Sequence, residues 1–251
     1  MPKRPPPVIA RTLPRVLFIA CACLSIAAAD EARYAVERKA LLADIQRDAA
    51  MTADATGRAR FSARVMGAMD AVPRHHFVAA RYANRAYANR PLPIGHGQTI
   101  SQPYIVALMS ELLEAQADDV ILEIGTGSGY QAAVLAELVA RVYTIEIVAP
   151  LAERATALLA ELGYRNIEVK LGDGYYGWPE HGPYDGIIVT AAAGSIPPPL
   201  VQQLKPGGHM VIPVGAPLHT QDLILLRKDP RGRVTTTSIL PVAFVPLTGE
   251  R

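Results

Sequence analysis

Cysteine is almost absent from this chain. Two of its 251 residues are cysteines, Cys21 and Cys23, and both lie within the first 29 residues. Removal of that segment would leave no thiol, and therefore no disulfide, no catalytic cysteine and no cysteine-ligated zinc. The six histidines also lack the spacing of a zinc motif. The sequence predicts a protein without a bound metal.

The chain also has little excess charge of either sign. Its formal net charge is +2, but residues 1–29 contribute four basic side chains and no acidic one. The rest of the chain has 21 basic and 23 acidic residues, a net charge of −2. A body with this balance lacks the basic surface of a nucleic-acid-binding protein. The composition therefore disfavours an RNA or DNA substrate.

An apolar run covers residues 16–29, but it is too short for a confident membrane span. A basic segment precedes it, and three alanines end it just before Asp30. This pattern is typical of an export signal. Acylation at Cys21 or Cys23 is the weaker alternative, because the apolar stretch before either residue is short.

The length of 251 residues suits one α/β domain with small appendages. Helical spacing of apolar residues predicts two N-terminal helices, at residues 33–50 and 61–73. Residues 84–103 are rich in proline, glycine and asparagine, and they are predicted to form a loop. Loops of that length inside a compact domain are usually functional or disordered.

From Tyr104 onward, short apolar runs alternate with helical segments. Strands are predicted at residues 120–124, 142–147, 167–171, 186–190 and 210–214, and helices at residues 104–115, 131–140, 151–162 and 200–204. The alternation predicts an α/β fold, a doubly wound Rossmann-like sheet with helices on both faces. Two further runs, at residues 223–226 and 235–245, flank a turn sequence and predict an antiparallel strand pair at the sheet edge.

A glycine-rich turn joins the first predicted buried strand to a helix. Gly125, Gly127 and Gly129 alternate there with other residues. Such glycines permit positive φ and let a ligand approach the backbone, while the start of the helix offers free N–H groups. Glu146 is predicted to end the next strand, where its carboxylate can accept both hydroxyls of a ribose. The pattern predicts a nucleoside site, with a turn used only for packing as the alternative.

The glycine spacing separates two kinds of nucleoside site. A dinucleotide fingerprint has a third glycine where this chain has Tyr130. S-Adenosylmethionine has no pyrophosphate, so its glycine turn need only admit an amino-acid tail. The literal G-x-G-x-x-G at residues 172–177 is followed by Trp178 and a proline rather than a helix, so it fails as a dinucleotide site.

Two further residues have open interpretations on local grounds. Asp173 can accept a hydrogen bond from the amino group of an adenine, or it can close the loop as an Asx turn. Ser101 lies two residues before Pro103, a position where serine is usually a turn residue or a helix cap.

Six segments resemble, in the same order, the motifs of the protein-L-isoaspartate O-methyltransferase family: residues 90–103, 122–131, 172–174, 183–192, 204–208 and 245–248. The resemblance extends over about residues 34–248. It implies a class I methyltransferase-like sheet whose C-terminal strands are arranged in the family's own way. It also implies transfer of a methyl group from S-adenosyl-L-methionine to a carboxylate of L-isoaspartyl residues in damaged proteins, which initiates their repair.

The resemblance further implies a set of site residues. Ser101 matches the family's active-site serine. The matching cofactor contacts are Gln98, Thr99, Ile100 and Ser101 in the loop over the cofactor, Gly125, Gly127, Ser128 and Gly129 at the methionine part, Glu146 at the ribose, Asp173 and Gly174 at the adenine, and Thr248 at the junction with the substrate.

On this basis residues 1–29 are a targeting segment, residues 30–103 the N-terminal helices and active-site loop, and residues 104–251 the cofactor-binding core. The expected partners are proteins and peptides that contain L-isoaspartyl residues. No nucleic acid, no stable membrane association and a monomeric chain are expected. The cytoplasm is preferred to the periplasm, because S-adenosylmethionine is made in the cytoplasm.

Two alternative functions remain open. A methyltransferase of the same fold can act on RNA or another substrate, although amino-group methylation commonly uses an Asn/Asp-Pro-Pro-Tyr loop where this chain has Thr190 followed by three alanines. A non-catalytic module would bind S-adenosylmethionine without turning it over.

Overall fold

The computed structural model describes residue 1, residues 15–216 and residues 219–249. The chain divides into two compact units, Met1–Glu37 and Arg38–Arg251. Residues 2–14 of the predicted targeting segment lie outside the described residues, so export stays a prediction. None of the described helices is long and apolar enough to cross a membrane.

Helices precede the sheet, as predicted. The first is α1 (Arg15–Met51), and α2 (Ala53–Thr56) is a single turn. The third helix, α3 (Ala63–Ala71), begins after Ser62, whose hydroxyl oxygen accepts a hydrogen bond from the backbone N–H of Val65. Two short 3-10 helices follow, Arg74–Phe77 and Ala80–Arg85.

Residues 84–103 are not the featureless loop that was predicted. They contain an antiparallel hairpin formed by β1 (Leu92–Gly95) and β2 (Gln98–Ile100). His96 and the glycines on either side of it adopt positive φ, which closes the turn. Strands this short, with a proline inside one of them, leave no alternating pattern for sequence reasoning to detect.

The predicted α/β sheet and its antiparallel edge pair are confirmed. The helices are α4 (Pro103–Leu112), α5 (Tyr130–Ala136), α6 (Ala149–Glu161) and α7 (Pro198–Gln203), and the strands are β3 (Val120–Ile124), β4 (Arg141–Glu146), β5 (Ile167–Leu171), β6 (Tyr184–Val189), β7 (Leu204–Val214), β8 (Gln221–Lys228) and β9 (Val234–Val242). Within the described residues, seven strands form one sheet in the order β5-β4-β3-β6-β7-β8-β9. Strands β3 to β7 are parallel, and β8 is antiparallel to both of its neighbours.

The strand predicted at residues 210–214 was too short. The observed strand β7 starts directly after α7, and residues 205–208 belong to it. The register between β6 and β7 shifts there, and a Cβ on Gly208 would lie 2.6 Å from the carbonyl oxygen of Asp185. Gly208 therefore lets β7 approach β6 closely, and Gly207 adopts a φ of 88° within the irregularity.

The sheet brings distant segments of the sequence to one edge. Parallel strands β3, β4, β5 and β6 point the same way, so the residues that follow them meet at their carboxyl ends. Those residues are the glycine-rich turn after β3, Glu146 at the end of β4, Asp173 after β5 and Thr190 after β6.

Candidate active site

The glycine-rich turn is held against the end of β6. Gly125, Gly127 and Gly129 have φ values of 97°, 55° and 87°, a region that other residues rarely adopt. A Cβ on Gly125 would lie 2.5 Å from the hydroxyl oxygen of Thr190. That hydroxyl donates a hydrogen bond to the Gly125 carbonyl oxygen at 2.7 Å. Glycine is therefore required at this position by both conformation and space.

Glu146 is the last residue of β4 and is 6% exposed. One carboxylate oxygen accepts a hydrogen bond from the Gly127 N–H at 2.7 Å, and the other accepts one from the Val148 N–H at 2.9 Å. A carboxylate has about four lone-pair sites, so each oxygen can still accept a hydrogen bond from a ligand. The two backbone bonds fix the orientation in which it does so.

Ser101 lies between β2 and α4. The N-cap of α4 is Gln102, and no side-chain capping bond is present, so Ser101 is not the helix cap that its local sequence allows. Within the described residues its half-buried hydroxyl makes no hydrogen bond, whereas its carbonyl oxygen accepts one from Arg74 at 2.8 Å. The hydroxyl is therefore free to bind a ligand.

Asp173 forms the Asx turn that its local sequence allows, and its contact with adenine stays a prediction. It precedes the 3-10 helix Gly174–Tyr176, and its Oδ1 accepts a hydrogen bond from the Tyr175 N–H at 2.9 Å, as in an Asx turn. Its Oδ2 is buried and has no hydrogen-bond partner among the described residues. One oxygen thus closes the turn, and the other remains a free acceptor of the kind that an adenine amine needs.

A cleft lies at this edge of the sheet. Ten predicted site residues line it: Gln98, Thr99, Ile100, Ser101, Gly125, Gly127, Ser128, Glu146, Gly174 and Thr248. Gly129 and Asp173 are not part of the lining. A Cβ on Gly129 would lie 3.3 Å from the side chain of Leu159, so this glycine allows helix packing. The ligand contacts proposed for both residues stay predictions.

Sequence reasoning missed part of the lining. Thr190 and Gln131 both line the cleft. Thr190 was identifiable in principle, because it follows a parallel strand at the edge where ligands bind. The C-terminal wall depends on Ala192, whose N–H donates to the Val245 carbonyl and whose carbonyl accepts from the Leu247 N–H, both at 2.8 Å. No local pattern in the sequence predicts that pairing.

An ionisable group is buried behind the glycine turn. The carboxyl of Glu123 is inaccessible to solvent and accepts a hydrogen bond from the Thr144 hydroxyl at 2.6 Å. The hydroxyl oxygens of Thr144 and Thr126 are 2.7 Å apart. Burial raises the pKa of Glu123 to about 8, the Thr144 bond opposes the rise, and the negative charge of Glu146 adds to it. Glu123 is therefore mainly protonated at neutral pH.

These residues fit S-adenosylmethionine. Positive-φ glycines admit an amino-acid tail close to the backbone, Glu146 retains lone pairs for ribose hydroxyls, and Asp173 Oδ2 is a buried acceptor without a partner. Among the described residues, no lysine or arginine lines the cleft. A pyrophosphate would favour such a cation. Fold and cleft together define a class I, S-adenosylmethionine-dependent methyltransferase.

Comparison with known proteins identifies the family. The model of the protein-L-isoaspartate(D-aspartate) O-methyltransferase family matches residues 46–251, and the chain belongs to that family. It is 57% identical over 225 residues to protein-L-isoaspartate O-methyltransferase 2 of Syntrophobacter fumaroxidans, a match that covers 90% of this chain and 91% of the relative. It is 54% identical over 254 residues to protein-L-isoaspartate O-methyltransferase 1 of Cupriavidus necator, with 98% and 97% covered.

Solved structures agree with the family. A protein-L-isoaspartate O-methyltransferase superposes with a TM-score of 0.74 at 28% identity, over 84% of this chain and 66% of the other. A structure from Plasmodium falciparum, in complex with S-adenosyl-L-homocysteine, superposes with a TM-score of 0.69 over 84% of this chain and 98% of the other. Its identity of 24% supports the fold alone.

Proposed function

We propose that this protein transfers a methyl group from S-adenosylmethionine to the free carboxylate of L-isoaspartyl residues in damaged proteins, the first step of their repair. The observation that carries the proposal is the position of Ser101. Its unpartnered hydroxyl lines the same cleft as the glycine turn and Glu146. A hydrogen-bond donor for a carboxylate therefore adjoins a nucleoside site, in a member of this methyltransferase family.

In the cofactor half of the cleft, the residues that follow each strand would bind a different part of S-adenosylmethionine. When bound, S-adenosylmethionine supplies a methyl group on a sulfonium, which becomes a thioether as a carboxylate oxygen takes the methyl. Glu146 accepts hydrogen bonds from the ribose hydroxyls through its remaining lone pairs. The glycine turn would hold the methionine part and the loop after β5 the adenine. The residues expected to hold them are Gly125, Gly127, Ser128, Gly129, Asp173 and Gly174.

The reacting half needs alignment rather than acid–base chemistry. An isoaspartyl carboxylate is already ionised at neutral pH, so no side chain has to remove a proton. What remains is to orient the carboxylate and to exclude part of its water. Ser101 donates a hydrogen bond to one carboxylate oxygen, which leaves the other free to accept the methyl. Thr248 lines the cleft, and its proposed position is the junction between cofactor and substrate.

The substrate main chain has a second cavity available to it. This cavity shares Thr99, Ser101, Thr190 and Val245 with the cofactor cleft. None of the described residues in its lining has an ionisable side chain. A peptide in this position meets hydroxyls and apolar surface, and such a surface selects on backbone shape rather than on the charge of neighbouring residues.

Methyl transfer to an isoaspartyl peptide, beside its aspartyl twin, tests the proposal. The twins have the same composition and charge, and they differ only in whether the carboxylate is on Cα or one methylene away. We expect a methyl ester on the isoaspartyl peptide alone. Equal methylation of both peptides contradicts the specificity, and cofactor binding without turnover would identify a non-catalytic module.

We also propose that nucleic acid is not a substrate and that the enzyme is a monomer. Neither cavity is lined by a lysine or arginine of the described residues, so a phosphate backbone finds no cation there. Turnover should therefore be insensitive to salt between 50 and 200 mM, a range over which phosphate binding weakens by roughly a thousandfold or more. Sedimentation tests the monomer.

The cytoplasm is the compartment we propose, on the ground that S-adenosylmethionine is made there. Export through residues 1–29 is the competing outcome. Cell fractionation combined with N-terminal sequencing distinguishes the two. A mature chain that begins at Asp30 and is recovered from the periplasm would overturn the proposal.

A further inference from the structure

A buried arginine stands directly behind the active-site serine. Arg74, the first residue of the 3-10 helix Arg74–Phe77, has no exposed surface. Its Nε donates a hydrogen bond to the Ala86 carbonyl oxygen at 2.9 Å, and its Nη2 donates one to the Ser101 carbonyl oxygen at 2.8 Å. Its Nη1 is buried and has no hydrogen-bond partner among the described residues.

Within the described part of the chain this arginine has no counter-ion. Among the described residues no carboxylate forms an ion pair with it, and the groups that interact with its charge are the phenols of Tyr130 and Tyr87. Burial lowers the pKa of Arg74 to about 10, so the guanidinium remains charged at neutral pH. An unpaired buried cation destabilises a fold. Its two carbonyl bonds and its contact with the Tyr130 ring are the interactions that hold this charge in place.

The contacts of Arg74 join the two halves of the site. Its guanidinium carbon lies 4.8 Å from the ring centre of Tyr130, in the range of a cation–π contact. Tyr130 lines the cofactor cleft and follows the glycine turn directly. The guanidinium of Arg74 thus binds the backbone of Ser101 and also contacts Tyr130, a residue that lines the cofactor cleft.

We infer that Arg74 is a positioning residue, which fixes the backbone of Ser101 relative to the cofactor wall through its bond to the Ser101 carbonyl and its contact with Tyr130. The inference rests on the proposed role of Ser101 in methyl transfer. The planar fork of arginine reaches two carbonyls and a ring face at once, a geometry that the single ammonium of lysine does not reproduce. The charge is retained in Arg74→Lys, so the variant isolates the geometry.

Steady-state kinetics of Arg74→Lys and Arg74→Met test the inference, with Arg64→Lys as the matched control. Arg64 also ties two carbonyls, those of Ala115 and Leu138, each at 2.8 Å, but it does not line the cofactor cleft. We expect kcat to fall ten- to a hundredfold in both Arg74 variants, because misplacement of a reacting group by about 1 Å can cost a hundredfold. The affinity for S-adenosylmethionine, measured by calorimetry, should stay within about threefold of wild type. Arg64→Lys should leave kcat unchanged.

Hydrogen exchange of the backbone amides at residues 98–104 gives a second reading that does not depend on activity. Exchange should accelerate there in Arg74→Lys and not in Arg64→Lys, since only the first variant loosens the Ser101 segment. Normal kcat in the folded fraction of both Arg74 variants, or unchanged exchange, would overturn the inference. If neither variant folds, Arg74 serves folding alone and the inference is equally wrong. An inactive wild-type protein would instead contradict the proposed function. The exchange experiment would still test whether Arg74 holds the backbone of Ser101 in place.

Discussion

Replacing Ser101 by alanine separates a catalytic serine from a structural one. The hydroxyl makes no hydrogen bond within the described residues, and it borders two open cavities. Its removal leaves no orphaned partner and no enclosed void, so the free energy of unfolding should change by less than about 0.5 kcal/mol. The loss should appear only when a carboxylate is aligned for reaction.

The expected kinetic effect follows from one lost hydrogen bond. Such a bond is worth about 0.5–1.5 kcal/mol between neutral groups and more to a charged one. A loss of about 1.4 kcal/mol corresponds to a tenfold fall in rate. Ser101→Ala should therefore lower kcat for the isoaspartyl peptide about tenfold, with little change in cofactor affinity, since alignment acts mainly in the transition state.

Ser62→Ala is the matched control, because Ser62 is a true helix cap. Its hydroxyl accepts from the Val65 N–H at 3.3 Å and donates to Glu111 at 2.8 Å, outside both cavities. Loss of such a cap costs about 1 kcal/mol of stability. We expect a lower melting temperature with normal kcat in Ser62→Ala. In Ser101→Ala we expect an unchanged melting temperature with a lower kcat. If Ser101→Ala melts early and its folded fraction works at the normal rate, the catalytic role is refuted.

Three other variants probe the cofactor half and the buried acid. Glu146→Gln should weaken S-adenosylmethionine binding about tenfold or more, because a charge-assisted acceptor is lost; unchanged affinity in calorimetry would remove Glu146 from the site. Gly127→Ala should weaken binding as well, since it strains the turn that lines the cleft, where the φ of 55° is one that alanine rarely adopts. Gly163→Ala, at φ 86° with no atom within 4 Å of its Cβ, bears similar strain and should bind normally, whereas equal affinities would leave the turn a packing feature. Between the ordinary pKa of 4.5 and the folded pKa of about 8, folded Glu123 holds a proton that the unfolded chain releases, so stability falls as pH rises. Glu123→Gln should abolish this slope of about 1.4 kcal/mol per pH unit, and parallel stability curves for variant and wild type would contradict the assigned pKa.

The central sheet was predictable because its inner strands are largely buried and its edge strand alternates. A continuous apolar run defines the buried strand β3, whereas β5 lies at the sheet edge and alternates apolar with charged residues. The predicted bounds of both strands coincide with the observed Val120–Ile124 and Ile167–Leu171. Residues at the ends of parallel strands then meet at one edge. The position of Glu146 at the cleft follows from that rule alone.

The hairpin that carries Gln98 to Ile100 was not predictable in the same way. Its two strands pair over only three positions, with an irregularity after Pro93. Its position depends on contacts from remote residues, including a hydrogen bond from the Arg154 guanidinium to the Ile94 carbonyl oxygen at 3.0 Å. Family motifs identified the residues of this segment, but they did not show that the segment is a hairpin.

Arg74 and Glu123 show why motif matching finds residues that line the cleft more readily than the buried groups behind them. Charged residues are rarely buried without a partner, so sequence reasoning expects an arginine or a glutamate to be exposed. Nothing in the local sequence marks Arg74 or Glu123 as buried. Their bonds join them to Ser101, 27 positions away, and to Thr144, 21 positions away. One group fixes a loop backbone, and the other holds a proton beside the glycine turn. A relative that retains every motif can therefore lose turnover, or change its pH dependence, through substitution at a position that no motif contains.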